Sequence, residues 1–423
     1  MRTGKTYKKI INDPVYGFIT INSQLLFDLI EHPVFQRLRR IRQLGLTNFV
    51  YPGANHTRFQ HALGAVYLMD QAINIIRSKG HPVTPEEEEA VKIAILLHDI
   101  GHGPFSHALE HSIISKLNHE ILSEILMDYL NSQFDGRLLL AICIFRNKYK
   151  KKFLHQLVSS QLDMDRLDYL RRDSFFTGVT EGVIGSDRII KMLNVVDDDL
   201  VIESKGIYSI EKFLIARRLM YWQVYLHKTV IAAEKILVNT LSRAKEMAAE
   251  GKELFCTPAL GYFLYNDIDH EHLKNDQSPF PREKVIDNFI QLDDNDILTS
   301  AKIWSHHSDK ALSYLSNGLT NRNLYKIVFR YEPFEADQVN SVKKIVQDQL
   351  GFDESTARYF VFTESISNNA YSAEDDKIKI LFKDGAIYDI ADASDMLNIS
   401  VLSKVVRKYY LCYPKGTNIN EIF

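Results

Sequence analysis

The stretch HDIGHGPFSH, residues 98–107, holds three histidines, an aspartate, two glycines and a proline in ten positions. Imidazoles and carboxylates at that density move protons near neutral pH or hold a divalent metal. His98 and Asp99 alone could simply cap a helix end, but HGPFSH adds His102 and His107, which capping does not need. Two further groups have the same chemistry: His61 in NHTRFQHALG, and Asp165, Tyr169 and Asp173 in QLDMDRLDYLRRD, spaced four apart and so on one helix face. Two His and two Asp drawn from separate helices suit Zn, Fe, Mn or Ni, because ionised Asp partly neutralises the ion while neutral His binds it.

Three helices must deliver these groups. TPEEEEAVKIAILLHD opens with Thr84 as N-cap, Pro85 at the first helical position and Glu87 three residues after the cap, a capping-box pattern that also explains the Glu run. From Ala90 to Leu97 nearly every residue is apolar, which predicts a buried helix carrying His98 and Asp99 inward until Gly101, Gly103 and Pro104 break it. An unpaired buried charge costs several kcal/mol, so both must be paired or ligate something. The second helix is NHTRFQHALGAVYLMDQAINIIRSKG, with His61 in its first turns and Gly80 as its stop; the third is SQLDMDRLDYLRRDSFFTG.

The chain of 423 residues has room for two or three domains of roughly 100–200 residues. With 45% hydrophobic and 25% charged residues and net charge −3, it has no global pull toward nucleic acid or anionic membranes. Cys143, Cys256 and Cys412 lie far apart, which argues against disulfides or a cysteine zinc site and implies a reducing compartment. No apolar signal core and no apolar run near the ~20 residues of a membrane span are present, so the expected location is cytoplasmic. Helical patterns fill residues 22–330, so the first two thirds read as all-α. Beyond about residue 325, NLYKIVFRY, ARYFVFT and KIKILFKDGAIYDI read as strands, the last with an Asp384-Gly385 hairpin turn, while SVKKIVQDQL and DMLNISVLSKVVRKYY read as helices. The expected fold is mainly α: a catalytic core over 1–240, a helical extension over 241–325 and a small α+β module over 326–423.

The ordered series DPVYGFI, HPVFQRLRRIRQLG, YPGANHTRFQHALG, LLHDIGHGPFSH, QLDMDRLDYLRRD and RRLMYWQVYLHKTV resembles the HD-domain phosphohydrolases, and within them the deoxynucleoside triphosphate triphosphohydrolases. The likeness fades through QLDDNDILTSAKIW and NRNLYKIV and ends near residue 328. The resemblance implies His61, His98, Asp99 and Asp165 as ligands of one divalent metal at the α-phosphate, with Mg as a further partner of the substrate phosphates. It implies His102, His107 and His119 as proton donors or transition-state stabilisers, Glu110 as an orienting residue where the vertebrate relative has aspartate, and Arg58 beside them. Arg58 and Arg166 are suited to clamp phosphate oxygens; the vertebrate relative has lysine at the position of Arg166. Arg217, Tyr225 and Lys228 match the far wall of the nucleotide pocket, and Gln43, Leu44, Tyr169 and Asp173 the side facing base and sugar. Gln36 and Arg39 match positions that grip an effector nucleotide between subunits, with Glu31 where the vertebrate relative has an aspartate, implying a homo-oligomer, dimer or tetramer. The basic strip Arg37, Arg39, Arg40 and Arg42 would need an anionic partner or solvent.

Other nucleotide devices are missing. GKT at residues 4–6 lacks the first glycine of a phosphate-binding loop, there is no GxGxxG, and KYKKK at 148–152 reads as a solvated connection rather than a nucleic-acid surface. The expected activity is metal-dependent hydrolysis of deoxynucleoside triphosphates to deoxynucleoside and triphosphate. The alternatives are hydrolysis of another phosphoester, such as a nucleoside monophosphate, a cyclic dinucleotide or single-stranded DNA, and a nucleotide-sensing or nucleic-acid-binding module. The four filled ligand positions favour an enzyme.

Overall fold

A computed structural model of the chain describes residues 7–105, 118–274, 278–368, 371–372, 377–395, 404–419 and 422. It opens with an antiparallel hairpin of β1 (Lys9–Asp13) and β2 (Gly17–Ile21), followed by α1 (Gln24–Glu31), α2 (Pro33–Gln36) and a tight turn over Arg37–Arg40. Then come α3 (Arg58–Ser78), α4 (Pro85–Leu97), α5 (His119–Gln133), α6 (Leu139–Phe145), α7 (Lys152–Val158) and α8 (Met164–Thr177). The predicted capping box is present: Thr84 Oγ1 accepts from the Glu87 amide at 3.2 Å and the Glu87 carboxylate from the Thr84 amide at 2.9 Å. Helix α4 is buried from Ile93 to Leu97 and packs against α3 and α6, while α3 packs against α8.

The chain continues through α9 (Ser186–Met192), the hairpin β3 (Leu193–Val196) and β4 (Asp199–Glu203), α10 (Ile207–Met220), a π-helical turn over Tyr221–Tyr225 and α11 (Lys228–Ala249). Five shorter helices follow: α12 (Pro258–Leu264), α13 (His270–Lys274), α14 (Arg282–Phe289), α15 (Asp294–Trp304) and α16 (Lys310–Thr320). The last part contains β5 (Lys326–Arg330), α17 (Ala336–Leu350), α18 (Glu354–Ala357), β6 (Phe362–Asn368), β7 (Lys379–Leu381), β8 (Ile387–Asp389), α19 (Ile390–Ala393) and β9 (Val406–Tyr413). Strands β5, β9 and β6 form one antiparallel sheet in that order; β7 and β8 extend the β3–β4 hairpin, β7 running parallel to β4. Among the described residues no helix is long and apolar enough to cross a membrane.

The fold is mainly α with small sheets, as the pattern predicts, and three local expectations change. The first two thirds are not all-α: the hairpins β1–β2 and β3–β4 lie within them. The β3–β4 turn runs through Asp197 and Asp198 at φ 50° and 62°, and two consecutive left-handed residues fit the twist of a tight hairpin. In ARYFVFT, α18 ends at Ala357 and the strand begins only at Phe362. The helix expected over DMLNISVLSKVVRKYY is not formed at 406–413, where β9 is the central strand of its sheet; residues 396–403 lie outside the described residues. Val406, Tyr409, Tyr410 and Tyr413 are β-branched or aromatic, and partners on both edges settle a segment whose apolar residues fit either period.

Candidate metal centre and substrate cleft

Helix α4 ends at Leu97, and His98 and Asp99 follow on a loop that turns back on itself. Ser123 of α5 fastens it, accepting from the Gly101 amide at 3.0 Å and donating to the His98 carbonyl at 2.6 Å. Only glycine fits at 101: a Cβ there would lie 2.3 Å from both the His119 carbonyl oxygen and the Ser123 nitrogen. Farther along, Asp294 at the start of α15 accepts from the Phe105 amide at 2.8 Å and from the Arg42 amide at 3.0 Å.

On this frame His61 of α3, His98, Asp99 and Asp165 of α8 converge. His61 Nε2 is 3.0 Å from Asp165 Oδ1 and 3.8 Å from Asp99 Oδ2; His98 Nε2 is 3.4 Å from Asp165 Oδ1 and 3.3 Å from Asp99 Oδ1. Each ring is oriented from behind, His61 Nδ1 by Asp168 at 2.7 Å and His98 Nδ1 by the Ile95 carbonyl at 2.6 Å. Both Nε2 atoms are buried without a hydrogen bond of acceptable geometry. Two orphaned imidazole nitrogens facing two carboxylates are the donor set a divalent transition metal takes, so these residues fit such an ion.

The electrostatics agree. Burial opposes ionisation of Asp165, but His61 and His98 outweigh it and hold the carboxyl far below its ordinary range. Burial likewise opposes the charge on Asp99, and His98, Arg58 and His102 keep it ionised. Burial also opposes protonation of His61, yet Asp165 and Asp168 lift its pKa to about 10.

Arg58, the first residue of α3, forms an ion pair with Asp99. His102 Nε2 lies 3.4 Å from Asp99 Oδ1, and its ring stacks on His119 with centroids 3.9 Å apart. His107 and Glu110 lie outside the described residues. A cleft of about 800 Å³ opens over the cluster, lined by Arg58, His98, Asp99, His119, Asp165, Arg166 and, farther along, Gln43, Leu44, Tyr169, Asp173 and Tyr225. Arg166 is anchored by an ion pair to Asp163. Asp173 is occupied within the protein, accepting from Tyr225 Oη at 2.8 Å and bonded to His56 Nε2 at 2.7 Å. Arg217 and Lys228 do not line the cleft: Arg217 lies over the ring of Tyr221, which does, and Lys228 is exposed at the start of α11.

Glu31, Gln36 and Arg39 sit apart from the cleft; Arg39 donates to Gln36 Oε1 at 2.7 Å and covers the Phe59 ring at 3.6 Å. Arg37 does not belong to a surface strip. It is fully buried, and its guanidinium donates to the carbonyls of Ile100 at 2.8 Å, His102 at 2.9 Å and Leu292 at 3.2 Å. Arg40 is paired with Asp293 and is likewise not free for an anion. A run of arginines carries no sign of which one the carbonyls of a buried loop take up as a donor.

Sequence reasoning also missed Asp168, Arg172 and Asp13. Arg172 Nε donates to Asp168 Oδ2 at 2.9 Å and Nη1 to Asp13 Oδ2 at 2.8 Å, all three buried. The signal was the spacing Asp165, Asp168, Arg172, which puts a carboxylate and its cation on one face beside the ligand position.

Residues 58–173, from the first turn of α3 to Asp173, match the HD domain, and residues 184–257 match the HD associated region. The site above therefore lies within an HD domain, a metal-dependent hydrolase domain. The chain is 31% identical over 96% of its length to an uncharacterised protein, YwfO, of Bacillus subtilis, covering 92% of that protein. It is 29% identical over 76% of its length to a deoxynucleoside triphosphate triphosphohydrolase SAMHD1 homologue of Dictyostelium discoideum, covering 60% of that protein. The crystal structure of a phosphohydrolase from Bacteroides thetaiotaomicron is similar over 97% of this chain and all of that one, with TM-score 0.92 and 60% identity. The chain belongs to the HD phosphohydrolase family.

Proposed function

We propose that this phosphohydrolase cleaves deoxynucleoside triphosphates into deoxynucleoside and inorganic triphosphate. The observation that carries the reading is the placement of Asp165, Tyr169 and Asp173 along one face of α8, lining a cleft that begins at the ligand cluster. A nucleotide laid along that face has its α-phosphate at the cluster and its sugar against Tyr169, one helical turn on. Likeness to triphosphohydrolases supports the substrate class.

His61, His98, Asp99 and Asp165 would hold the metal. When bound, a divalent ion there polarises a phosphoryl oxygen and lowers the pKa of water. The chain's own groups do the rest. Arg58 and Arg166 offset charge building on the phosphate oxygens. His119, lining the cleft and stacked on His102, offers an imidazole to the departing 5′ oxygen. The Tyr169 ring packed against C2′ disfavours a 2′-hydroxyl, and hence ribonucleotides. Zn, Fe, Mn and Ni all suit the donor set, and titration of the metal-stripped protein with each ranks them.

Hydrolysis of dGTP in oxygen-18 water reads the bond that breaks. Intact triphosphate carrying the label is the expected product; release of pyrophosphate, equal cleavage of GTP, or activity confined to monophosphates or single-stranded DNA would point to another phosphoester. We further propose a homo-oligomer with an effector nucleotide gripped at Gln36 and Arg39. Velocity sedimentation should show a larger species with dGTP or GTP than without, and a monomer throughout would exclude it.

A further inference from the structure

We infer that Glu234 selects the nucleobase, presenting a carboxylate to a base edge that carries two adjacent N–H donors, guanine above all. The inference rests on the nucleotide reading above. Glu234 lies in the second turn of α11, a helix that contributes none of the four clustered residues, and it lines the same cleft. Its helical neighbours Val230, Ile231 and Leu237 are buried and apolar. Lys235, the adjacent cation, turns away to Glu364 at 2.5 Å. Among the described residues Glu234 has no ion pair and no hydrogen bond, and burial lifts its pKa to about 7 against the pull of Lys235. Glu234 is half-buried, and a cleft-lining carboxyl without a protein donor is an acceptor that a ligand can satisfy.

The ligand part that meets it follows from charge. Helix α11 packs on the Thr47–Phe49 turn, and the cleft-lining residues in or next to these two segments, Gln43, Leu44, Thr47 and Leu226, are not cationic. Gln43 Oε1 is a second buried acceptor without a partner. Arg58 and Arg166, with the metal ligands, hold the phosphate side. A carboxylate repels phosphate, so Glu234 faces the end of the nucleotide that carries donors. Guanine offers N1–H and N2–H side by side to two carboxylate oxygens. Adenine and cytosine set a ring acceptor beside their single exocyclic amine, and thymine flanks its one N–H with two acceptors. The order expected at pH 8 is therefore dGTP first and dTTP last.

The test is kcat/KM of the metal-loaded enzyme for the four deoxynucleoside triphosphates at pH 8, in the natural chain and in Glu234→Gln. The substitution keeps size and removes a half-buried charge that has no partner, so the melting temperature should not fall. The dGTP-to-dTTP ratio should drop about tenfold, the worth of one two-bond base contact. An unchanged ratio, or an equal fall for all four substrates, overturns the inference. If the natural chain cleaves none of them, the nucleotide-hydrolysis reading fails separately, and calorimetric Kd values for the same four nucleotides still decide: a dGTP preference lost in Glu234→Gln supports base reading, and equal affinities in the natural chain refute it.

Discussion

Asp168 touches no part of the cleft, yet it stands behind His61 with one oxygen on Nδ1 and shares the buried Arg172 with Asp13. It fixes the tautomer that points His61 Nε2 at the carboxylates. Asp168→Asn keeps the shape and loses the charge; metal affinity measured by chelator competition should fall about 10- to 100-fold with helix content unchanged. Asp168→Ala also strips Arg172 of a buried partner and should destabilise the fold by about 3–5 kcal/mol, read from denaturation midpoints. An Asn variant binding metal as tightly as the natural chain would make Asp168 a purely structural anchor. The clustered residues themselves were legible because His and Asp at the end of an apolar helix have few bland explanations. Asp168 was not, since a helix carboxylate is ordinarily solvated, and Arg37 was misread because nothing in RLRRIR shows which arginine points inward.

At the scale of elements, the crossing of α3 and α8 brings His61 to Asp165. The two helices meet at Gly64, where an added Cβ would lie 2.0 Å from Asp168 Oδ1 and 2.2 Å from Arg172 Nη2. Gly64→Ala therefore forces the helices apart or breaks the ion pair, and should cost about 1–3 kcal/mol. A thermal scan with and without added Mn should show both a lower melting temperature and less stabilisation by the metal; a variant matching the natural chain in both would mean the crossing gives way cheaply. These helices were readable from capping and periodicity, as α4 was from Thr84, Pro85 and Glu87. Strand β9 was not, because its sheet partners lie some 40 and 80 residues earlier in the chain and only they decide between helix and strand.

At the scale of the whole molecule, the last hundred residues reach behind α8, the helix that carries Asp165. Strand β7 continues the sheet of β4, and Lys379 pairs with Asp199. Gln161, four residues before Asp165, accepts from the Ser372 amide at 2.9 Å. Tyr325 Oη and Asn239 Nδ2 both donate to the Tyr359 carbonyl, the latter at 2.7 Å, and Lys408 lies 4.1 Å over the Trp222 ring behind the π-helical turn of the cleft. A change of composition near residue 325 announces a new texture in the sequence, but it carries no trace of these cross-chain contacts, which involve single polar residues far apart. A chain ending at Tyr325 would uncover the edge of β4, the apolar side of α11 that meets β5, and the back of Gln161. Exposed strand edges and apolar faces drive association, so the shortened chain should be recovered mostly insoluble. Its soluble remainder should bind metal more weakly than the full chain, because the segment ahead of Asp165 has lost its tether. Soluble yield, melting temperature and chelator competition on the two chains read this directly. A soluble 1–325 fragment that melts within a few degrees of the full chain and binds metal equally well would make the last hundred residues an appended module with no part in holding the site.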